Sequence, residues 1–212
     1  PQITAKDLSK KEIAFPDSLA EQKAIAEVLS SLDDKINLLH RQNATLEALA
    51  ETLFRRYFIE GAQDDCEEST LDDVLTVKGG TTPSTSNAAF WDGDIHWTSP
   101  KDLSANDGLF LLDTARKITP EGLAQIGSGL LPAGSLLMSS RAPVGYLAFS
   151  VNPVAINQGY IGILDDKGFS KEFIFLWLKI NMEYVKGHAN GSTFQEISKS
   201  TFKRLEITKP PE

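Results

Sequence analysis

The chain has 212 residues, 41% of them hydrophobic and 24% charged, an ordinary globular composition sufficient for one domain with an appendage or two small ones. No apolar run approaches the ~18–20 residues of a membrane span. The first residues lack the apolar stretch of a leader, and the single Cys66 supports neither an internal disulfide nor a multi-cysteine zinc cluster, so a reducing, cytoplasmic setting is expected. Net charge is −8, with the acidic excess shared equally between residues 1–65 and 66–212. That excludes loose DNA binding by a basic surface; a nucleic-acid role must be specific or shared with a basic partner.

Residues 1–18 are an end segment with a counterpart far along the chain. Ile3, Leu8, Ile13 and Pro16 recur as Ile197, Phe202, Ile207 and Pro210, all at an offset of 194. The first copy runs into a helix start, and after the second the sequence stops where the next helix would begin. The simplest reading is one period of a two-period architecture. One helix then lacks its mate, which a second copy of the chain would supply.

The helix is predicted over residues 19–60. Ser18 followed by Glu21 has the form of a capping box, no Pro or Gly interrupts the stretch to Phe58, and Gly61 is the expected left-handed stop. Ile25, Leu29, Leu32, Ile36, Leu39, Asn43, Leu46, Ala50, Leu53 and Tyr57 are spaced alternately by 4 and 3 residues. This is a heptad seam, and it predicts a coiled coil with a partner helix. Asn43 within the seam fits a residue that fixes register; the alternative is that it faces solvent at a splay.

Residues 61–70 are polar and read as a linker, and residues 71–212 as a compact mixed α/β domain. Candidate strands are Ile95–Thr98, Arg116–Thr119, Ser135–Ser139, Gly145–Ser150 and Tyr160–Leu164. Thr119-Pro120 opens a short helix expected to end near Gly127, and Ser170 caps a longer one with Phe173, Trp177, Ile180 and Tyr184 along one face. The fold class is therefore α+β: a long coiled-coil helix followed by a compact domain. Polar loops on such a domain are where binding usually sits.

Catalytic chemistry finds no support. His40, His96 and His188 are scattered without metal-ligand spacing, and His96 reads as a half-buried strand residue. Gly79-Gly80-Thr81-Thr82 is not a phosphate loop, and neither G-x-S-x-G nor H-E-x-x-H occurs. Nothing resembles a methyltransferase cofactor motif. The paired acids Asp64-Asp65, Asp72-Asp73 and Asp165-Asp166 lie beside turns or caps, where they are ordinarily solvated; a Mg²⁺-dependent nuclease built on them is the enzyme alternative. Cys66 sits among acids, which disfavours its thiolate. No cofactor and no metal are expected.

Several ordered segments resemble the DNA-specificity subunit of type I restriction–modification systems. Leu19–Ala26, Leu32-Asp33-Asp34-Lys35-Ile36, Gln42-Asn43 and Leu46-Glu47 resemble its spacer helix, and Leu53–Phe58 the helix end. Gly80-Thr81-Thr82-Pro83-Ser84, Phe90-Trp91 and Ile95-His96-Trp97 resemble the start of a target recognition domain. Ser140–Gly145, Asn157-Gln158-Gly159 and Gly191–Phe194 continue it in order. The resemblance implies a non-catalytic subunit that reads one half of a bipartite site on double-stranded DNA. Methyltransferase subunits would be held alongside, and restriction subunits join for cleavage. The pattern has two recognition domains and two antiparallel spacer helices, whereas this chain has one of each. An antiparallel homodimer through residues 19–60 is therefore expected, reading an interrupted palindrome. The helix pair would act as a ruler, because each residue advances ~1.5 Å and turns about 100°. The competing reading is an assembly module whose helix dimerises and whose domain binds a protein.

Base and phosphate contacts call for Arg, Lys, Asn, Gln and small hydroxyl residues. The candidates are Lys78, Thr81, Thr82, Ser84, Thr85, Lys101, Arg141, Asn190, Ser192 and Thr193. For Arg141 an ion pair that pins a loop is the alternative. Asn157-Gln158 reads first as a structural turn, and Lys199, Lys203 and Arg204 as a solvated face able to meet phosphates.

Overall fold

The structure, a computed structural model, describes residues 4, 8–12, 14–61, 67–106, 108–165, 167–191 and 195–209. It divides into two units, residues 1–50 and 51–212. The fold is α+β, as expected from the sequence.

Helix α1 spans Leu19–Phe54 and continues as a π-helical stretch over Arg55–Glu60. Ser18 Oγ accepts the Glu21 N–H at 3.4 Å, and the Gln22 side chain donates to the Pro16 carbonyl at 2.7 Å, so the start predicted at Ser18 is built as a cap. Ile25, Leu29, Leu32, Ile36, Leu39 and Leu46 all lie on this helix, and each is more than 40% exposed in the single chain. Val28, Leu38 and Leu49, outside the seam, are exposed as well and widen the apolar face.

The end of the helix departs from expectation. A π-turn holds more residues than an α-turn, so Tyr57 rotates off the line that Ala50 and Leu53 would continue. Gly61 has φ −98°, not the left-handed conformation expected of a stop. The close approach of the Arg56 carbonyl explains the glycine instead: a Cβ would sit 2.6 Å from that oxygen. Phe54 is buried and contacts Phe58 and Phe173 with ring centroids 5.1 and 4.8 Å away.

The second unit carries β1 (Glu67–Thr70), α2 (Leu71–Val74), β2 (Thr76–Lys78), β3 (Trp91–Thr98), α3 (Pro100–Ser104), β4 (Phe110–Leu111), β5 (Arg116–Ile118) and α4 (Pro120–Leu123). β6 (Leu136–Ser139), β7 (Leu147–Ser150), β8 (Val154–Ile156), β9 (Tyr160–Leu164), α5 (Lys171–Ile180), α6 (Met182–Gly187), α7 (Lys199–Lys203) and β10 (Glu206–Lys209) follow. β1 pairs with β10; a five-stranded sheet has the order β2-β9-β6-β7-β4, and a three-stranded sheet β5-β3-β8. β3 runs antiparallel to β5 and parallel to β8. The central strands β6 and β9 are almost wholly buried, which is why they read as continuous apolar runs. α5 and α7 bring Ile174, Leu178 and Phe202 into the same core as Leu71, Leu136 and Ile161.

Three sequence boundaries need correction. Residues 67–70, assigned to the linker, form β1, because their backbone finds the complementary edge of β10; residues 62–66 lie outside the described residues. The helix capped by Thr119 stops at Leu123 and gives way to hydrogen-bonded turns through Gly129. The helix begun at Ser170 is broken at Asn181 (φ −99°, ψ 20°), so Tyr184 belongs to α6.

The repeat has a backbone counterpart. The Leu8 N–H donates to the Thr4 carbonyl and the Lys11 N–H to that of Leu8, while Phe202 donates to Ser198 and Leu205 to Phe202, again at the offset of 194. Their surroundings differ, for Leu8 is 64% exposed whereas Phe202 is fully buried. Ile3, Ile13 and Pro210 lie outside the described residues.

Candidate nucleic-acid interface

An open cleft of about 1000 Å³ lies on the second unit, walled by Ser99, Pro100, Lys101 and Ser104 on one side and by residues 141–144 with Gln195 and Glu196 on another, and Asn157 also lines it. Each wall is held by a specific local device.

The first wall is α3. Ser99 and Asp102 form a reciprocal capping box with Pro100 at the first helical position. One Asp102 carboxylate oxygen accepts the Ser99 N–H at 2.8 Å and the Ser99 hydroxyl at 3.1 Å, and the other accepts the Ala115 N–H at 2.9 Å. Beneath them, the Tyr160 hydroxyl donates to the Ser99 carbonyl at 2.7 Å and lies 3.0 Å from the Thr98 hydroxyl. Burial pushes the Tyr160 pKa well above that of an exposed phenol, so this hydroxyl stays a neutral donor. Lys101 is thus carried on a short helix tied to two strands.

The second wall is the turn between β6 and β7. Ser139 Oγ donates to the Pro143 carbonyl at 2.7 Å and accepts the Tyr146 N–H at 2.8 Å, and Ala142 sits at φ 58°, a left-handed conformation that is strained for a residue with a Cβ. Arg141 and Asn190 each form an isolated β-bridge to Glu196. The Arg141 guanidinium lies 3.8 Å from the Glu196 carboxylate, with both side chains more than a third exposed. The pinning role envisaged for Arg141 is therefore present, but over a long and solvated pair.

Beside the cleft runs the loop of residues 79–87. A Cβ on Gly80 would overlap the Ile156 carbonyl oxygen, and one on Gly79 would overlap the Lys199 side chain, so the loop and α7 meet closely here. The Thr82 hydroxyl donates to the Gln158 side-chain carbonyl at 2.8 Å, and the Thr81 hydroxyl reaches the Gln125 carbonyl at 3.4 Å. Both hydroxyls thus have partners within the domain. Ser84 and Ser86 share a hydrogen bond of 2.9 Å and, with Thr85, are exposed. Asn157 uses its side-chain oxygen to accept the Gly159 N–H at 2.8 Å, the turn role expected of it.

The structure therefore brings Lys101 and Arg141 to one cleft, with Asn190 joined to it through Glu196. Lys78, Thr81, Thr82, Ser84 and Thr85 do not line it. Ser192 and Thr193 lie outside the described residues. Ser99, Ser104 and Glu196 escaped the sequence reading. Pro100 and Asp102 signalled the α3 cap, but nothing local to Glu196 announces its bridge to Arg141. His96 is a half-buried residue of β3, 3.1 Å from Asp113. The Thr114 N–H, then Lys117 and His96, hold the Asp113 carboxyl below its usual range. Among the described residues, no three His, Cys, Asp or Glu side chains gather in a metal-binding group, and no helix is long and apolar enough to cross a membrane.

This combination of a long seam-bearing helix with a mixed-sheet domain is a fold shared with solved structures. The HsdS subunit from Thermoanaerobacter tengcongensis superposes with a TM-score of 0.56 at 20% identity, covering 100% of this chain and 51% of that one. A chain from a structure of the assembly and conformational transition of the type I R-M system superposes at 0.55 with 21% identity, covering 100% and 52%. The chain belongs to the type I restriction modification DNA specificity domain family, whose model matches residues 1–48 and 63–212. The MjaIX specificity subunit of Methanocaldococcus jannaschii is 36% identical over 162 residues, which are 76% of this chain and 38% of that protein. The HindI specificity subunit of Haemophilus influenzae is 25% identical over 285 residues, covering 99% and 61%. The chain thus spans less than two thirds of the length of each of these relatives.

Proposed function

We propose that this chain is a non-catalytic, sequence-specific DNA-binding component of a cytoplasmic type I restriction–modification complex. Its domain over residues 71–212 reads one half of a bipartite target. Its helix over residues 19–60 pairs with that of a second copy in an antiparallel homodimer, so that an interrupted palindrome is read. In this role it holds methyltransferase subunits on double-stranded DNA, and restriction subunits join for cleavage. The observation that carries the reading is the cleft. It brings two cations, Lys101 and Arg141, and the side-chain amide of Gln195 to one concave face. Those are the groups that position phosphates and read base edges. A net charge of −8 fits binding that depends on such specific contacts.

Fluorescence anisotropy with the methyltransferase subunit present, comparing a duplex carrying the modified site with its scrambled version, tests this. Tighter binding of the intact site is expected, and equal affinity overturns the reading. Equal affinity would favour the assembly-module reading instead, whose support is the exposure of Val28, Leu38 and Leu49 beyond the seam.

A further inference from the structure

The geometry points to Trp91 and Trp97 as positioning residues that set the DNA-contacting conformation of the loop over residues 81–87; this rests on the DNA-reading function proposed above. Both indoles are 5% exposed, so each N–H needs a partner inside the protein. Both partners are carbonyls of this one loop. Trp97 Nε1–H donates to the Thr81 carbonyl at 3.3 Å, and Trp91 Nε1–H to the Ser84 carbonyl at 3.1 Å. The Ser84 oxygen also accepts the Asn87 N–H at 3.3 Å, which closes the turn.

The anchors are themselves fixed. The two rings meet edge to face with centroids 5.1 Å apart, and the Arg116 guanidinium lies 3.3 Å from the centre of the Trp91 ring. Pro83, between the two anchored carbonyls, is buried, while residues 84–87 are exposed. Two fixed carbonyls three residues apart leave the intervening backbone little freedom. The directions in which Ser84, Thr85 and Ser86 leave the surface are thereby set. Core packing alone asks only for large apolar rings on β3, which phenylalanine would supply; the paired N–H donors do something packing does not require. A reading surface must be held to within about 0.5 Å, and supporting side chains do that work.

The test compares the wild-type chain with W91F, W97F and the double variant, each assembled with the methyltransferase subunit. Duplexes with a randomised core are taken through selection, and affinities for the wild-type-enriched duplex and a scrambled one are then measured. Phenylalanine keeps a ring in the core and removes one donor. Each single variant is expected to lose about three- to tenfold in the ratio of specific to scrambled affinity, and the double variant more, with scrambled-duplex affinity unchanged. Amide exchange at residues 84–87 is expected to speed up in parallel. If the wild type enriches a sequence and the variants discriminate equally well, the positioning role is overturned and the DNA-reading function stands. If the wild type enriches nothing, the function falls, and this inference with it. Should a ring substitution melt the core, T85A on the exposed loop decides the matter. A changed preference at the base pairs it faces supports the loop as a reader, and an unchanged selected sequence overturns it.

Discussion

Leu39→Ala combined with Leu46→Ala should abolish dimerisation at micromolar concentration while leaving the recognition domain folded. In the single chain these side chains are 44% and 63% exposed, so roughly half of each awaits burial by a partner. Truncation to alanine removes three carbon groups worth ~0.8 kcal/mol each when fully buried, hence about 1.2 kcal/mol per site at half burial. An antiparallel homodimer counts every site twice, which gives ~5 kcal/mol, or between three and four decades in the dissociation constant. Sedimentation velocity across a concentration series reads this directly. Circular dichroism adds a second readout, because a lone helix with no partner is marginal in water and its helicity should then fall with dilution. Asn43→Leu is expected to act in the opposite direction on affinity and to loosen register. Superimposable sedimentation profiles for the wild type and the double alanine variant would refute the seam.

Other outcomes follow from the second unit. Lys101→Ala should weaken DNA binding about equally for all sequences and lower the salt dependence by about one counterion, whereas Arg141→Ala should cost ~1–3 kcal/mol on the specific site only; titrations at several salt concentrations separate the two. Tyr160→Phe removes one donor from the Ser99 carbonyl, which keeps the Asp102 N–H at 2.8 Å, and takes the hydroxyl partner from Thr98, so thermal or urea melting should show a loss of about 0.5–1.5 kcal/mol. At the start of α2, the Thr70 hydroxyl and N–H hold the Asp73 carboxyl below its ordinary pKa of 3.8. Its folded pKa is depressed, so its contribution is fully present above the unfolded value and is lost as pH falls through the lower folded one. Melting between pH 5 and pH 2 should show an acid-side loss in the wild type that is smaller in Asp73→Asn.

What could be read from sequence was local. The seam is a spacing pattern within one helix, and its residues stay exposed, so nothing from the rest of the chain masks the period. Tyr160–Leu164 was legible because a strand buried on both faces is an unbroken apolar run. Strand β1 was not, because Glu67-Glu68-Ser69-Thr70 carries no apolar signal and becomes a strand only through β10, at the far end of the chain. Val154-Ala155-Ile156 is too short to announce itself; parallel pairing with β3 makes it β8. The cleft was half legible. Lys101 and Arg141 stood out as cations in polar loops, but their meeting depends on the Ser99–Asp102 cap and on the bridge from Arg141 to Glu196. Trp97 read as a residue of the strand Ile95–Thr98 and Trp91 only as part of the Phe90-Trp91 segment, and where their N–H groups end is a tertiary fact.

The most direct measurement is methylome sequencing of cells that carry this chain with its methyltransferase subunit. Modification confined to a single interrupted palindrome, whose two halves are separated by a fixed number of unread base pairs, is the predicted result. Modification scattered without a shared sequence, or confined to one uninterrupted site, would contradict paired recognition domains held apart by a helix.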